Sequence, residues 1–99
     1  MRYDELYLDV QLESAHRRIL DRVSDIRSRR RDGRVEYRTN TGTLLATLSA
    51  TVLDSGEQGS KLRYRTTLIS APMAHARTQA QAIRRAVDEF RTTDGTKPF

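Results

Sequence analysis

Apolar and polar residues alternate near the start of the chain. In residues 5–12, ELYLDVQL, the aliphatic residues fall on one side of an extended chain, and they are Leu6, Leu8, Val10 and Leu12. A period of two is typical of a strand with one buried face. We therefore predict a first strand in this segment.

The period then changes to that of a helix. Ser14 is a favourable N-cap residue, and the apolar residues that recur at helical spacing after it are Ile19, Leu20, Val23 and Ile26. The pattern predicts a helix from residue 14 to about residue 29, broken by Asp32-Gly33.

Three further alternating segments predict three more strands, in residues 34–38, 43–54 and 61–69. Their predicted inward residues are Val35 and Tyr37, then Leu44, Ala46, Leu48, Ala50 and Val52, and finally Leu62, Tyr64, Thr66 and Leu68. Matching these inward faces places Tyr37 opposite Leu44 and Val52 opposite Leu62.

A second helix is predicted from Ser70 to about Arg91. Its apolar stripe consists of Ala76, Ala80, Ile83, Val87 and Phe90. Residues 92–99, TTDGTKPF, are predicted to form a flexible tail. The chain is thus expected to hold a single α+β domain in residues 1–91, followed by this tail.

The predicted element order is β-α-β-β-β-α, which indicates a two-layer sandwich with a four-stranded mixed sheet. The first helix is long enough to return the chain along the sheet, so strands one and two are expected to be parallel through a right-handed crossover. Only one face of the sheet has apolar residues in every strand. Both helices are therefore expected on that face, and the other face is expected to be open.

This order of elements, over residues 5–91, resembles the hibernation-factor domains that bind ribosomes. It is also similar to a double-stranded-RNA-binding domain with an added first strand. Both resemblances imply contact with RNA or the ribosome. The double-stranded-RNA family has a basic cluster at the start of its last helix, where this chain has SAPMAHARTQA with only His75 and Arg77. No site residue is carried over from either family.

The chain is basic and free of cysteine. Its 99 residues carry a net charge of +5, and Lys61 and Lys97 are the only lysines. Without cysteine, disulfides and thiolate chemistry are excluded. No apolar run approaches the length of a membrane span, and MRYDELYLDV lacks the order of a signal peptide. We expect a cytoplasmic protein without a membrane partner.

Six arginines lie in residues 25–38, DIRSRRRDGRVEYR. One interpretation is a helix end, because cations stabilise a helix C-terminus. The other is a contact with RNA or DNA phosphates. In that second interpretation, the predicted nucleic-acid-binding residues are Arg27, Arg29, Arg30, Arg31 and Arg34, with Arg63 and Arg65 on the open sheet face.

The predicted register also places Leu45 beside Ile69 on the open face, with Glu36 next to them. Adjacent aliphatic side chains on a flat exposed face indicate an interface, especially a twofold one. This pair predicts self-association or a protein partner.

Two histidines are candidates for binding an anion. His16 and His75 lie in the first turns of the two predicted helices, close to Ser14 and Ser70. If both helices begin at one edge of the sheet, these four residues and the free N–H groups could hold an anion. The alternative is two surface histidines without a ligand.

Motifs for catalysis are missing. There is no nucleophile elbow, no phosphate-binding loop and no dinucleotide-binding glycine pattern, and no ligand spacing that indicates a metal. We expect neither an enzyme nor a cofactor. Three hypotheses remain: a polyanion-binding module, which is favoured, a self-associating or partner-binding domain, and a carrier of a small ligand between helices and sheet.

Overall fold

The computed structural model of the protein describes residues 3–66 and 74–92. These residues form an α+β fold with the elements β1 (Tyr3–Leu8), α1 (Leu12–Arg22), β2 (Ile26–Arg31), β3 (Arg34–Thr39), β4 (Leu44–Val52), β5 (Gln58–Arg65) and α2 (Ala74–Ala86). A short 3₁₀ turn, Asp88–Phe90, follows α2.

The sheet has five antiparallel strands in the order β1-β5-β4-β3-β2. The predicted four-stranded mixed sheet, with its first two strands parallel, is therefore wrong. β1 pairs with β5 antiparallel, from Tyr3 opposite Arg65 to Leu8 opposite Ser60. β1 and β2 lie at opposite edges, and α1 carries the chain across the sheet between them. The resemblances to the two families depended on the predicted order β-α-β-β-β-α, which has one strand fewer than the observed order β-α-β-β-β-β-α.

The extra strand is the arginine run itself. α1 ends at Arg22 rather than near residue 29, and its N-cap is Gln11 rather than Ser14. Asp32-Gly33 does not end a helix but forms the two-residue turn between β2 and β3, with φ of 53° and 79°. Positive φ at both positions is the requirement of the hairpin turn that favours Asp-Gly. Arginines suit an edge strand because their charge opposes pairing with another chain.

Both helices pack on one face of this sheet. A row of buried residues crosses the four strands from β1 to β3, and it consists of Leu6, Leu62, Leu48 and Val35. Ala15 and Ile19 of α1 and Ile83 of α2 join the same core. The predicted stripe of the second helix is confirmed for Ala76, Ala80 and Ile83, while α2 ends at Ala86 rather than near Arg91, and Val87 is buried just after it. The predicted inward residues Val35, Tyr37, Leu62 and Tyr64 are also confirmed.

A bulge in β4 explains why Leu44 and Leu45 lie on faces opposite to those predicted. Tyr37 pairs with Ala46, but Arg38 pairs with Leu44, so Leu45 is an additional residue in β4. Leu45 is fully buried, which contradicts its predicted outward position. An extra residue moves its neighbours to the opposite face, and Leu44 accordingly lies on the face away from the helices.

The last residues of β4 extend beyond the part that pairs with β3. The last β3–β4 pair is Arg34 with Ser49, so from Ala50 onward β4 has a partner only in β5. Ala50, which we predicted under a helix, is exposed, and Val52 is 67% exposed. The sheet is too narrow there for the helices to cover it.

The segment after α2 returns to β1. The backbone N–H of Asp9 donates to the carbonyl oxygen of Phe90 at 2.7 Å, and the N–H of Thr92 donates to that of Tyr7 at 2.9 Å. Thr92, where the tail was predicted to begin, is thus attached to β1, whereas residues 93–99 lie outside the described part. Neither helix within the described residues has the length and apolar character that a bilayer span requires.

Candidate nucleic-acid interface

Strand pairing aligns side chains from all five strands on the sheet face away from the helices. Residues directly opposite one another on neighbouring strands point to the same face. The pairing defines two complete rows across the five strands: Glu5, Arg63, Thr47, Glu36 and Arg29; Tyr7, Lys61, Ser49, Arg34 and Arg31. A third row consists of two paired groups that are not paired with each other across the bulge in β4: Tyr3 with Arg65, and Leu44 with Arg38 and Arg27. We call these three rows the basic face.

The basic face concentrates the positive charge of the protein. It carries eight basic residues against two acidic ones, a net charge of +6, whereas the whole chain carries +5. With strands about 4.8 Å apart and same-face residues about 6.7 Å apart along a strand, the rows cover about 19 by 13 Å. So dense a cluster of one sign produces a potential that attracts polyanions.

Most of these charges are available to a ligand. Within residues 3–66 and 74–92, no carboxylate forms an ion pair with Arg27, Arg29, Arg31 or Arg34, and all four are exposed. The two glutamates of the face neutralise one partner each. Arg38 Nη2 lies 3.3 Å from Glu36 Oε1, and Lys61 Nζ lies 3.6 Å from Glu5 Oε2.

Two further arginines surround the ring of Tyr3. The guanidinium carbons of Arg63 and Arg65 lie 4.7 and 5.5 Å from the ring centroid, and Arg65 Nη2 donates to the Tyr3 hydroxyl at 3.0 Å. Arg65 is only 7% exposed, so it contributes to the field and holds Tyr3 in place. Arg63 is exposed at the surface.

Short side chains along β4, in the middle of the basic face, define a strip between two basic strands, which we call the groove. The β4 residues there are the uncharged Leu44, Thr47 and Ser49, whose side chains are shorter than the arginines of β3 and β5 on either side. The groove contains a shallow cavity of about 220 Å³. Its lining residues are Tyr3, Arg34, Glu36, Leu44, Thr47 and Arg63.

Arg30 is separated from the other arginines of the run. It lies opposite Val35 on the helix side of the sheet, and its Nη2 donates to Glu13 Oε1 of α1 at 2.6 Å. This hydrogen bond lowers the pKa of the Glu13 carboxyl and raises that of the Arg30 guanidinium. Arg30 therefore joins α1 to the edge strand and is not part of the basic face.

The histidines do not come together. His16 Nδ1 lies 2.8 Å from the hydroxyl of Tyr37, which is fully buried. Burial raises the pKa of Tyr37 and lowers that of His16, so the hydrogen bond joins a neutral phenol and a neutral imidazole. His75 is exposed near the start of α2. Four residues further along α2, Gln79 Nε2 donates to the carbonyl oxygen of Asp25, in the segment between α1 and β2, at 2.7 Å.

The other predicted anion-site and interface residues are also dispersed. Ser14 is exposed on α1, and Ser70 and Ile69 lie outside the described residues. Leu45 is in the core, so it cannot form the predicted exposed pair. Glu36 does lie on the open face, as expected, but beside Arg38 and the cavity.

The sequence prediction left Arg38, Lys61 and Tyr3 out of the site. The signal that could have located the hairpin is the dipeptide Asp32-Gly33 between two alternating segments. With β2 in place, Arg27, Arg29 and Arg31 join Arg34 and the β5 arginines in one surface. Two candidate regions that the sequence kept apart, the arginine run and the open sheet face, are thus a single one.

Comparisons of the chain with protein-family models, with curated proteins and with solved structures gave no match.

Proposed function

We propose that this protein is a non-enzymatic module that binds nucleic acid, RNA or DNA, through the basic face. The observation that supports this proposal is the net charge of +6 on one side of the sheet, arranged in three rows across five strands. Neutralising phosphates with such side chains releases condensed counterions, which is the main source of affinity for nucleic acid.

The residue types of the basic face, and not only its charge, are suited to binding phosphate. Seven of the eight basic residues are arginines, whose planar fork matches phosphate oxygens in a bidentate way. The hydroxyls of Thr47 and Ser49 add short donors at the floor of the groove, and hydroxyl side chains commonly contact the sugar-phosphate backbone.

Self-association through this face has less support. The hypothesis depended on an exposed pair that included Leu45, and Leu45 is buried. A twofold contact would also bring two copies of the same strongly positive surface together, and like charges across an interface oppose binding. A polyanion has the complementary charge.

The neighbouring arginines Arg29 and Arg30 provide the sharpest test, because they lie on opposite faces of β2. Affinity for a labelled oligouridine would be measured by fluorescence anisotropy between about 50 and 200 mM salt. Each phosphate contact on a single strand contributes about 0.7 to the slope of log affinity against log salt. We expect Arg29→Ser to lower the affinity and flatten this slope by about that amount.

Arg30→Ser is the matched control, since it removes the same charge and also breaks the pair with Glu13. We expect its salt slope to equal that of the wild type. Circular dichroism would establish that both variants remain folded. An absence of binding at about 50 mM salt to both the oligouridine and an oligothymidine of the same length, or equal losses in the two variants, would rule out the basic face as the binding surface.

A further inference from the structure

We propose that the basic face binds a single strand along β4 and that the cavity beside Glu36 holds one guanine base. This inference rests on the proposed function and makes it more specific. The observations that support it are the groove, the basic residues on both sides of it and the Glu36 carboxylate in the cavity.

The groove fits a single strand better than a duplex. Its walls are β3 and β5, whose axes lie about 10 Å apart across β4. Both walls are basic, with Arg34 and Arg38 on one side and Lys61 and Arg63 on the other. Reading a DNA duplex requires a helix or ribbon that enters the major groove, and the residues of the basic face lie within paired strands of the sheet. A single strand can turn its bases toward such a surface while basic side chains contact its phosphates.

The cavity is suited to one planar group. At about 220 Å³ it is smaller than the roughly 300–1,000 Å³ of pockets for drug-sized ligands. Leu44 provides apolar contact for the face of a ring, and Thr47 provides a hydroxyl. Arg34 and Arg63 lie on either side of the cavity, where they could contact the phosphates that flank the base.

Glu36 determines which base would be bound. Its side chain is only 13% exposed, and its Oε1 accepts a hydrogen bond from Arg38 at 3.3 Å, which orients the carboxylate. A carboxylate among phosphate-binding arginines repels the backbone of a nucleic acid, so it is a poor choice for a purely electrostatic surface. An ionised carboxylate only accepts hydrogen bonds.

Guanine is the base whose Watson–Crick edge offers two adjacent donors, the N1–H and the N2 amino group. Uracil offers one N–H between two carbonyl oxygens, and in cytosine and adenine the amino group adjoins a ring nitrogen that accepts. A carboxylate would therefore bind guanine through two hydrogen bonds and would repel an edge oxygen or nitrogen of each other base. Single-stranded recognition commonly reads this edge.

The test compares three labelled oligomers of about nine nucleotides: uridine throughout, the same with one central guanosine, and the same with one central inosine. Inosine keeps the N1–H of guanine and lacks its amino group. We expect the guanosine oligomer to bind the wild type at least about five-fold more tightly than either of the others, as for one good bidentate contact.

Glu36→Gln and Glu5→Gln form a matched pair of variants. Both remove one negative charge from the same row of the basic face, but Glu5 lies on β1 and does not line the cavity. We expect both variants to bind oligouridine at least as tightly as the wild type. Glu36→Gln should lose the preference for guanosine, whereas Glu5→Gln should keep it.

The outcomes separate this inference from the function on which it rests. Equal affinities for the three oligomers with the expected salt slope, or a guanosine preference that survives in Glu36→Gln, would overturn the guanine site and leave nucleic-acid binding in place. An absence of binding to all three oligomers would overturn both.

Discussion

Arg31 lies directly opposite Arg34 across the β2–β3 hairpin, and both side chains are on the basic face. Arg27 lies opposite Arg38 in the same way, and between these two pairs Arg29 is opposite Glu36. Like charges directly opposite one another destabilise a sheet. The hairpin thus contains a repulsion that a bound phosphate between the two strands would relieve.

This repulsion predicts opposite effects of one substitution on stability and on binding. Arg34→Thr should raise the free energy of unfolding by about 0.2–1 kcal/mol at low salt, because it removes the like charge and introduces a residue that favours strands. The gain should shrink at about 1 M salt, where surface charges are screened. The same variant should bind oligouridine more weakly than the wild type.

Urea unfolding at the two salt concentrations measures the first effect, and anisotropy measures the second. Arg30→Thr is the control within the same hairpin, because it removes an arginine that forms an ion pair with Glu13 and does not face another arginine. It should not be stabilising. A loss of stability in Arg34→Thr at low salt would contradict the interpretation of the Arg31–Arg34 pair.

The buried faces of β3, β5 and α2 could be predicted because their periods are regular. Val35 and Tyr37 alternate with charged residues, as do Leu62 and Tyr64, and Ala76 and Ala80 are one helical repeat apart. The opposite face of β3 holds Arg34 and Arg38, and that of β5 holds Lys61 and Arg63, so the pattern assigns the apolar residues of both strands to the core.

The end of α1 and the bulge in β4 could not be predicted in the same way. Ile26 continues the helical spacing of Val23, and Asp-Gly is compatible with a helix end as well as with a hairpin turn. Pairing with β3 decides between the two, and that is a tertiary interaction. In β4 the adjacent Leu44 and Leu45 are chemically equal, so the side of the sheet that each occupies depends on where the bulge falls.

The partial burial of His16 beside Tyr37 predicts a pH dependence of stability. The pKa of His16 is lowered from its ordinary 6.5, first by burial and then by Arg30, while Glu13 opposes the shift. The unfolded chain therefore binds a proton at a higher pH than the native chain does. This contribution to stability is complete above the unfolded pKa and is lost as the pH falls through about 6.5 and below.

The measurement is the free energy of unfolding in urea between about pH 8 and pH 5.5. His16→Gln should make the free energy of unfolding decline less as the pH falls, because glutamine can still form a hydrogen bond with the Tyr37 hydroxyl but does not titrate. Glu13, whose pKa is already lowered from 4.5, titrates below this range. An equal decline in wild type and His16→Gln would contradict the prediction.

Gly59 tests the position of β1 in the sheet. A Cβ atom at this position would lie 2.5 Å from the carbonyl oxygen of Leu8 and 2.9 Å from the side chain of Leu53, which is buried. The first contact is with backbone, so relief requires β1 to move relative to β5. We expect Gly59→Ala to lower the free energy of unfolding by about 1–3 kcal/mol, as for other overpacked sites.

The neighbouring Gln58→Ala provides the control, because Gln58 is exposed and surface changes usually stay within about 0.5 kcal/mol. In a sheet with β1 beside β3, as the sequence alone indicated, residues 55–59 would form a loop and Gly59 would tolerate alanine. Equal stability of the two variants in urea unfolding would therefore favour that arrangement, and a selective loss in Gly59→Ala supports the pairing of β1 with β5.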